Sequence, residues 1–433
     1  MRIGLITGEY PPMPGGVGDY TRCIAREMVR MGHEVFVLTS PLNPFSVYGE
    51  GSMNLSDSPS PQAERGLGGE VVSPTITGWN RAVFRAIPRW IGENRLDIIN
   101  LQFQTAAYNM AGLIHFLPSW LRIYPAGAYA DAPLRGDTVS TAKTPSPFRG
   151  GQGWGQGIPF ITTFHDLRFP YLFPKAGVLR PWIVGQLARR SDGVIVTDRA
   201  DEHELGKLSL RHLVRIPIGA NLQPSAAASP ERQMAIRRAA GAGEGDLLVA
   251  HFGFVNASKG IDTLLRGIHL VTGRGMPVKL MMIGERVGAS DPTNYAYLQT
   301  IESLAADLGI SLYWTGYIKE EDSGDYFAAA DVVALPFKDG ASLRRGSLQA
   351  ALAFGCCIVT THPNEDIPEF TDALLYIPPD DPTALADAFA RLHAEPDLRQ
   401  RLGQNARAAA AQFRWDQITA RILAFYETVL GGA

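Results

Sequence analysis

The sequence predicts an α/β protein made of two Rossmann-like halves of about equal size, each built on a parallel sheet. Three observations carry this. Short apolar runs alternate with amphipathic helical patterns along most of the chain. The runs end in Gly-, Pro- or polar-rich loops, as strands of a βαβ unit do. The alternation stops at the turn-rich segment 215–224, RIPIGANLQP, and then restarts.

Residues 3–7 read as the first buried strand. A Gly/Pro loop over 11–18 follows, and Tyr20, Ile24, Met28 and Met31 then share a helix face that Gly32 stops. Residues 34–38 form the next strand and complete a βαβ unit. Further strands fall at 96–101, 160–164 and 193–197. In the second half, strands are expected at 247–252, 279–283, 311–314, 331–335 and 357–360. Ile261, Leu264, Leu265 and Ile268 mark one helix face there, and Leu298, Ile301, Leu304 and Leu308 another. The expected domains are 1–222 and 223–433, with the last helix packing back on the N-terminal domain. Two stretches, 43–75 and 123–157, are rich in Pro, Gly and Ser and read as disordered insertions.

A chain of 433 residues has ample length for two cores. With 45% hydrophobic and 19% charged residues it is not a disordered protein. A net charge of −3 disfavours a nucleic-acid partner, which needs a broad basic surface. No apolar run reaches membrane-spanning length, and the N-terminus lacks the pattern of a signal peptide. Cys23, Cys356 and Cys357 have neither disulfide-framework nor zinc spacing, so no metal site is expected, and a cytoplasmic location follows.

Three loops carry candidate chemistry. In GEYPPMPGGVGDY, Gly15 and Gly16 precede a helix and let backbone approach a phosphate or sugar. The spacing is not a dinucleotide fingerprint, so a nicotinamide cofactor is not indicated. In HFGFVNASKGID, Lys259 follows a strand, where an ammonium can neutralise phosphate; taken alone, a solvated loop lysine is the better reading. In the loop 338–346, Arg344, Arg345 and Gly346 precede a helix that Ser347 can cap. Two guanidinium forks beside free helix N–H groups make an anion site.

Several longer stretches resemble the family 4 glycosyltransferases: EYPPMPGGVGDYTRCIAREMVRMGHEVFVLT, SDGVIVTDRADEHEL, RIPIGANL, TGYIKEEDSGDYFAAADVVALPF with its following loop, and RWDQITARILAFYETVL. The resemblance covers the chain apart from the two insertions. It implies the GT-B fold of two facing Rossmann-like domains with a cleft between them. It also implies a retaining, metal-independent hexosyltransferase using a nucleotide-diphosphate sugar, with no cofactor, working in polysaccharide or other glycoconjugate biosynthesis. By resemblance, His165 is catalytic near the transferred sugar and Lys259 holds the leaving diphosphate. Gly15, Gly16, Arg344, Arg345, Gly346 and Ser347 join in phosphate binding. Ile283, Gly284, Gly316, Tyr317, Ile318 and Gln349 fall at the base and ribose. The acceptor is a glycan, a lipid-linked sugar or a small molecule.

The family pattern is broken at three places. Its arginine five residues before the lysine is Phe254 here, and its two glutamates, eight apart, fall at Ala341 and Gln349. The rival reading is therefore a non-catalytic nucleotide-sugar or glycan-binding protein on the same fold. A weak peripheral contact with the inner face of the membrane is a further expectation. It rests on Arg22, Arg26 and Arg30 at helical spacing and on the stretch of Trp79, Arg81, Arg85, Arg89 and Trp90, although a solvated helix face is the commoner meaning of such stripes.

Overall fold

The computed structural model describes residues 1–13, 15–40, 64–66, 68–73, 76, 78–108, 112–123, 157–167, 179–220, 222, 224, 228–286, 292–364 and 366–432. The described residues fall into two compact units. One runs to Ile216 and regains the chain at Thr419–Ala433; the other holds Pro217–Ile418.

The first unit is built on β1 (Arg2–Thr7), α1 (Gly16–Arg30), β2 (Glu34–Leu38), β3 (Glu64–Arg65), β4 (Val71–Ser73), α2 (Val83–Asn94), β5 (Ile98–Phe103), α3 (Leu117–Ile123), β6 (Phe160–Phe164), α4 (Leu179–Arg190), β7 (Gly193–Val196), α5 (Arg199–Gly206) and β8 (Leu213–Arg215). The sheet order is β3-β4-β2-β1-β5-β6-β7-β8, parallel except between β3 and β4. Ile3 pairs with Val35 on one side and Ile98 on the other. The central strands are buried along nearly their whole length, because a parallel sheet has both faces covered.

The second unit contains α6 (Pro230–Ala239), β9 (Leu247–Phe252), α7 (Ile261–Gly273), β10 (Val278–Ile283), α8 (Pro292–Asp307), β11 (Leu312–Trp314), α9 (Ser323–Ala329), β12 (Val332–Leu335), α10 (Gly346–Ala353), β13 (Ile358–Thr361), β14 (Leu375–Ile377), α11 (Pro382–Ala394) and α12 (Pro396–Ala410). Its sheet order is β11-β10-β9-β12-β13-β14, all parallel. Counted from its own first strand, this is the doubly wound order 3-2-1-4-5-6. One apolar cluster lies on each face of this sheet, around Phe327, Phe337 and Leu348 on one side and Leu264, Ile301 and Phe389 on the other. The last helix, α13 (Trp415–Gly431), begins in the second unit and belongs to the first from Thr419 on. Its Trp415 Nε1 donates to the Ala220 carbonyl at 2.8 Å.

The expectation of disorder over 43–75 is corrected at its C-terminal end. β4 pairs with β2, Val71 opposite Phe36, and Glu70 is almost fully buried. Three residues are too few to show a hydrophobic period, so pattern reading passes over such a strand. The rest of that stretch up to residue 63, and 124–156 of the second insertion, lie outside the described residues. Trp79 and Trp90 are also corrected as membrane-facing residues, since both lie in the core of the first unit. Arg22 and Arg30 pair with Asp19 and Glu27 on their own helix. Among the described residues, no helix is long and apolar enough to cross a membrane.

Candidate active site

Open α/β sheets bind ligands outside the carboxyl ends of their strands, where the strand order reverses. In the second unit that point lies between β9 and β12. Lys259 follows β9 and Ser347 follows β12, and the fold brings them together: Lys259 Nζ donates to Ser347 Oγ at 2.9 Å. The turn carrying Lys259 is tightly built. Asn256 Oδ1 accepts from the backbone N–H and the hydroxyl of Ser258. Gly260 then turns left-handed at φ 65°, and a Cβ there would lie 1.9 Å from the Pro336 carbonyl oxygen. Only glycine lets the chain start α7 so close to the neighbouring strand.

Two cations share one ring. Lys259 Nζ lies 5.2 Å from the centroid of Phe337 and the Arg345 guanidinium 4.6 Å. The ring face attracts both. Burial and then the Arg345 charge bring the Lys259 pKa down to about 8, with Asp339 opposing the fall. Arg345 Nη2 donates to Asp339 Oδ1, and Nη1 reaches Ser258 Oγ at 3.4 Å. Arg344 is half-buried beside it. Lys338 is committed elsewhere, to Asp262 at 2.7 Å and Asp380 at 3.4 Å.

The expectation that Ser347 caps α10 is corrected. Gly346 is the first helical residue and Arg345 the cap position, with no side-chain cap bond; Ser347, one turn position further in, instead receives Lys259. Gln349 is enclosed, its amide donating to the Leu343 carbonyl at 3.2 Å, and Ala341 is buried in the core. Phe254 is 53% exposed. The positions expected at the base do converge: Gly284, just past Ile283 at the end of β10, bridges to Gly316 past β11, and Gly284 N–H donates to Thr315 Oγ1 at 3.0 Å. Ile318 is partly buried nearby in sequence and Tyr317 is strongly exposed.

In the first unit the strand order reverses between β1 and β5. His165 follows β6, half-buried, with its ring edge-on to Tyr20 at 4.6 Å. Its Nε2 is 2.9 Å from Oε1 of Gln102, a fully buried residue of β5. Below it Asn100 links Thr163, at 2.9 Å, to Tyr426 of α13, at 2.6 Å. The glycine loop holds an unexpected group. Glu9 Oε1 accepts from the N–H groups of Val17 and Gly18 at 3.0 and 3.3 Å. A Cβ on Gly15 would lie 2.1 Å from that oxygen, whereas Gly16 faces open space. The carboxylate thus occupies N–H groups at the start of α1, and burial raises its pKa against those hydrogen bonds.

Glu9, Gln102 and Asp339 were not singled out from sequence. Glu9 and Asp339 sit inside loops whose composition already marked them and contact groups of the same loop, whereas Gln102 reaches His165 from the neighbouring strand. His251 was also missed. It is fully buried in β9, with Nδ1 2.9 Å from the Ala334 carbonyl, and burial followed by the Lys259 charge lowers its pKa to about 4. Among the described residues no group of His, Cys, Asp or Glu is arranged to hold a metal.

Two doubly wound units with candidate sites at their strand-order reversals define the architecture of a GT-B glycosyltransferase. A family model of glycosyl transferases group 1 matches residues 247–395, and one of the glycosyl transferase 4-like domain matches 15–219. The chain belongs to the family 4 glycosyltransferases. Among curated proteins it is 23% identical to the phosphatidyl-myo-inositol mannosyltransferase of Mycolicibacterium smegmatis over 100% of this chain and 95% of that one. It is 26% identical to the D-inositol 3-phosphate glycosyltransferase of Xylanimonas cellulosilytica over 56% and 58% of the two chains. Among solved structures, sucrose-phosphate synthase of Thermosynechococcus elongatus superposes with a TM-score of 0.66 at 19% identity, covering all of both chains. HepE of Anabaena, solved with UDP and glucose, gives 0.64 at 16% identity over 99% of each.

Proposed function

We propose that this glycosyltransferase moves a hexose from a nucleotide-diphosphate donor to a hydroxyl acceptor with retention at the anomeric carbon. The observation that carries the reading is the cluster of Lys259, Arg345 and the start of α10 at the strand-order reversal of the second unit. The task is to stabilise a diphosphate leaving group while an oxocarbenium-like centre forms. Fixed ammonium, guanidinium and N–H dipoles supply that stabilisation without a metal ion. Arg344 and Gly346 extend the cluster, and Gly284, Gly316 and their neighbours Ile283, Tyr317 and Ile318 offer backbone and apolar surface to a base. Gln349, enclosed as it is, leaves the ribose to backbone groups.

His165 orients the sugar or the incoming hydroxyl. Gly15 and Gly16 keep a place beside the substrates, while the Glu9 carboxylate takes the Val17 and Gly18 N–H groups. The names of the two curated relatives point to inositol-containing acceptors, so a polyol or polyol lipid is the acceptor class to try first. The test is incubation with a panel of nucleotide sugars and such acceptors, following nucleoside diphosphate release and the anomeric configuration of the product. Binding without turnover across the panel would favour the non-catalytic alternative. An inverted product would remove retention.

A further inference from the structure

The cluster proposed to hold the donor's diphosphate contains a carboxylate of its own. Asp339 lies in the turn between β12 and α10 and accepts from Arg345 Nη2. Its charge also reaches Lys259, where it supports the ammonium form. One carboxylate therefore offsets both cations argued to meet phosphate oxygens. The neighbouring Lys338 does not neutralise it, being held by Asp262 and Asp380.

Such a group either aims Arg345 or competes with the anion Arg345 awaits. Arg345 has other means of orientation: its guanidinium lies over Phe337 and its Nη1 reaches Ser258. The Arg345 side chain is 19% exposed, that of Asp339 43%. The arginine is thus packed in place, while its partner sits on the open side. What Asp339 adds is charge of the same sign as a diphosphate.

We infer that Asp339 is a built-in competitor of the donor's diphosphate. It neutralises Arg345 and Lys259, gives way to an arriving diphosphate, and favours departure of the nucleoside diphosphate product. This deepens the proposed function and rests on the reading of Lys259 and Arg345 as the diphosphate clamp.

Titration calorimetry with inorganic pyrophosphate tests it on the full chain, with melting curves to confirm folding of every variant. Asp339→Asn should tighten pyrophosphate binding by about fivefold, the scale of one exposed ion pair. The gain should shrink as salt is added, and be smaller in the Arg345→Ala background, where only the effect on Lys259 is left. Arg345→Ala alone should weaken binding. If Asp339→Asn weakens binding, or leaves it unchanged while Arg345→Ala weakens it, Asp339 serves to aim the arginine and the competitor role is overturned. If neither Arg345→Ala nor Lys259→Ala alters pyrophosphate binding, the clamp reading itself falls, and the competitor with it.

Discussion

Lys259 Nζ and Ser347 Oγ, 88 positions apart in the chain, meet at 2.9 Å where the strand order of the second unit reverses. The contact joins the loop after β9 to the first turn of α10. It aims an ammonium at the helix end where unpaired N–H groups gather. The pair is the centre of the proposed diphosphate site.

Lys259 makes diphosphate binding pH-dependent. Burial brings its pKa down to about 8, below the ordinary lysine value, so the ammonium is present below that pH and lost above it. An arriving diphosphate favours the charged form and raises the pKa. Affinity should therefore level off below about pH 8 and fall above it, with proton uptake on binding between pH 8 and 9. Calorimetry in two buffers of different ionisation heat measures that uptake. The depressed pKa also means that the unfolded chain binds more protons above pH 8, so stability should rise from there toward the unfolded lysine value. Ser347→Ala should weaken binding by up to about tenfold, the loss of one hydrogen bond.

The family arginine is replaced by Phe254, and Arg344 and Arg345 bring positive charge from the other loop. Either Arg344→Ala or Arg345→Ala should weaken nucleoside diphosphate binding by at least ~1.5 kcal/mol, the low end for a hydrogen bond to a charged group. Replacement by Lys should recover only part, because an ammonium cannot form a bidentate fork. Wild-type affinity in both alanine variants would leave the arginines as surface residues.

His165 is gripped by the Gln102 amide and the Tyr20 ring. His165→Ala should lower kcat by about a hundredfold, the scale of misplaced reacting groups. Gln102→Leu should give a smaller loss and move the pH profile, since it removes the hydrogen bond that selects the histidine tautomer. Turnover by His165→Ala at the wild-type rate would confine the histidine to a structural role.

His251 should make the protein acid-labile. Its pKa falls from about 6.5 in the unfolded chain to about 4 in the fold. The unfolded chain then binds more protons in that window, so stability declines as pH drops from 6.5 toward 4. His251→Gln keeps an N–H for the Ala334 carbonyl but cannot titrate. Its melting temperature should depend less on pH over that range; an unchanged dependence would point to other groups.

Glu9 and Gly15 should be coupled. Gly15→Ala places a Cβ against the Glu9 carboxylate and should lower the melting temperature. Glu9→Ala removes an acceptor from two N–H groups of α1 and should cost about 1 kcal/mol, as the loss of a helix cap does. In the double variant the two costs should fall short of their sum, because the clash needs both side chains. Strict additivity in denaturant melts would argue against the contact.

The alternation of apolar runs and helical faces was enough to read two α/β halves, because parallel strands buried on both faces need continuous apolar sequence. The loops bearing Lys259, Arg345 and Gly15 stood out as glycine and cation clusters at strand-to-helix turns, but each alone has a plainer meaning, and it was the family resemblance that gave them their expected roles. Short or compositionally masked elements were not legible. β4, with three residues after a Pro- and Ser-rich stretch, shows no period, and its place beside β2 depends on pairing across the sheet. The partners of the candidate groups were beyond sequence reading as well. Gln102 reaches His165 from 63 residues away, and Lys259 reaches Ser347 from 88. Ser347 itself fits a cap by composition, and only the packing of the β9 loop against α10 gave its hydroxyl to a lysine. Sequence determined which residue types stand at the strand ends; strand order and close packing decided which of them touch, because those contacts depend on distances in space that local pattern does not encode.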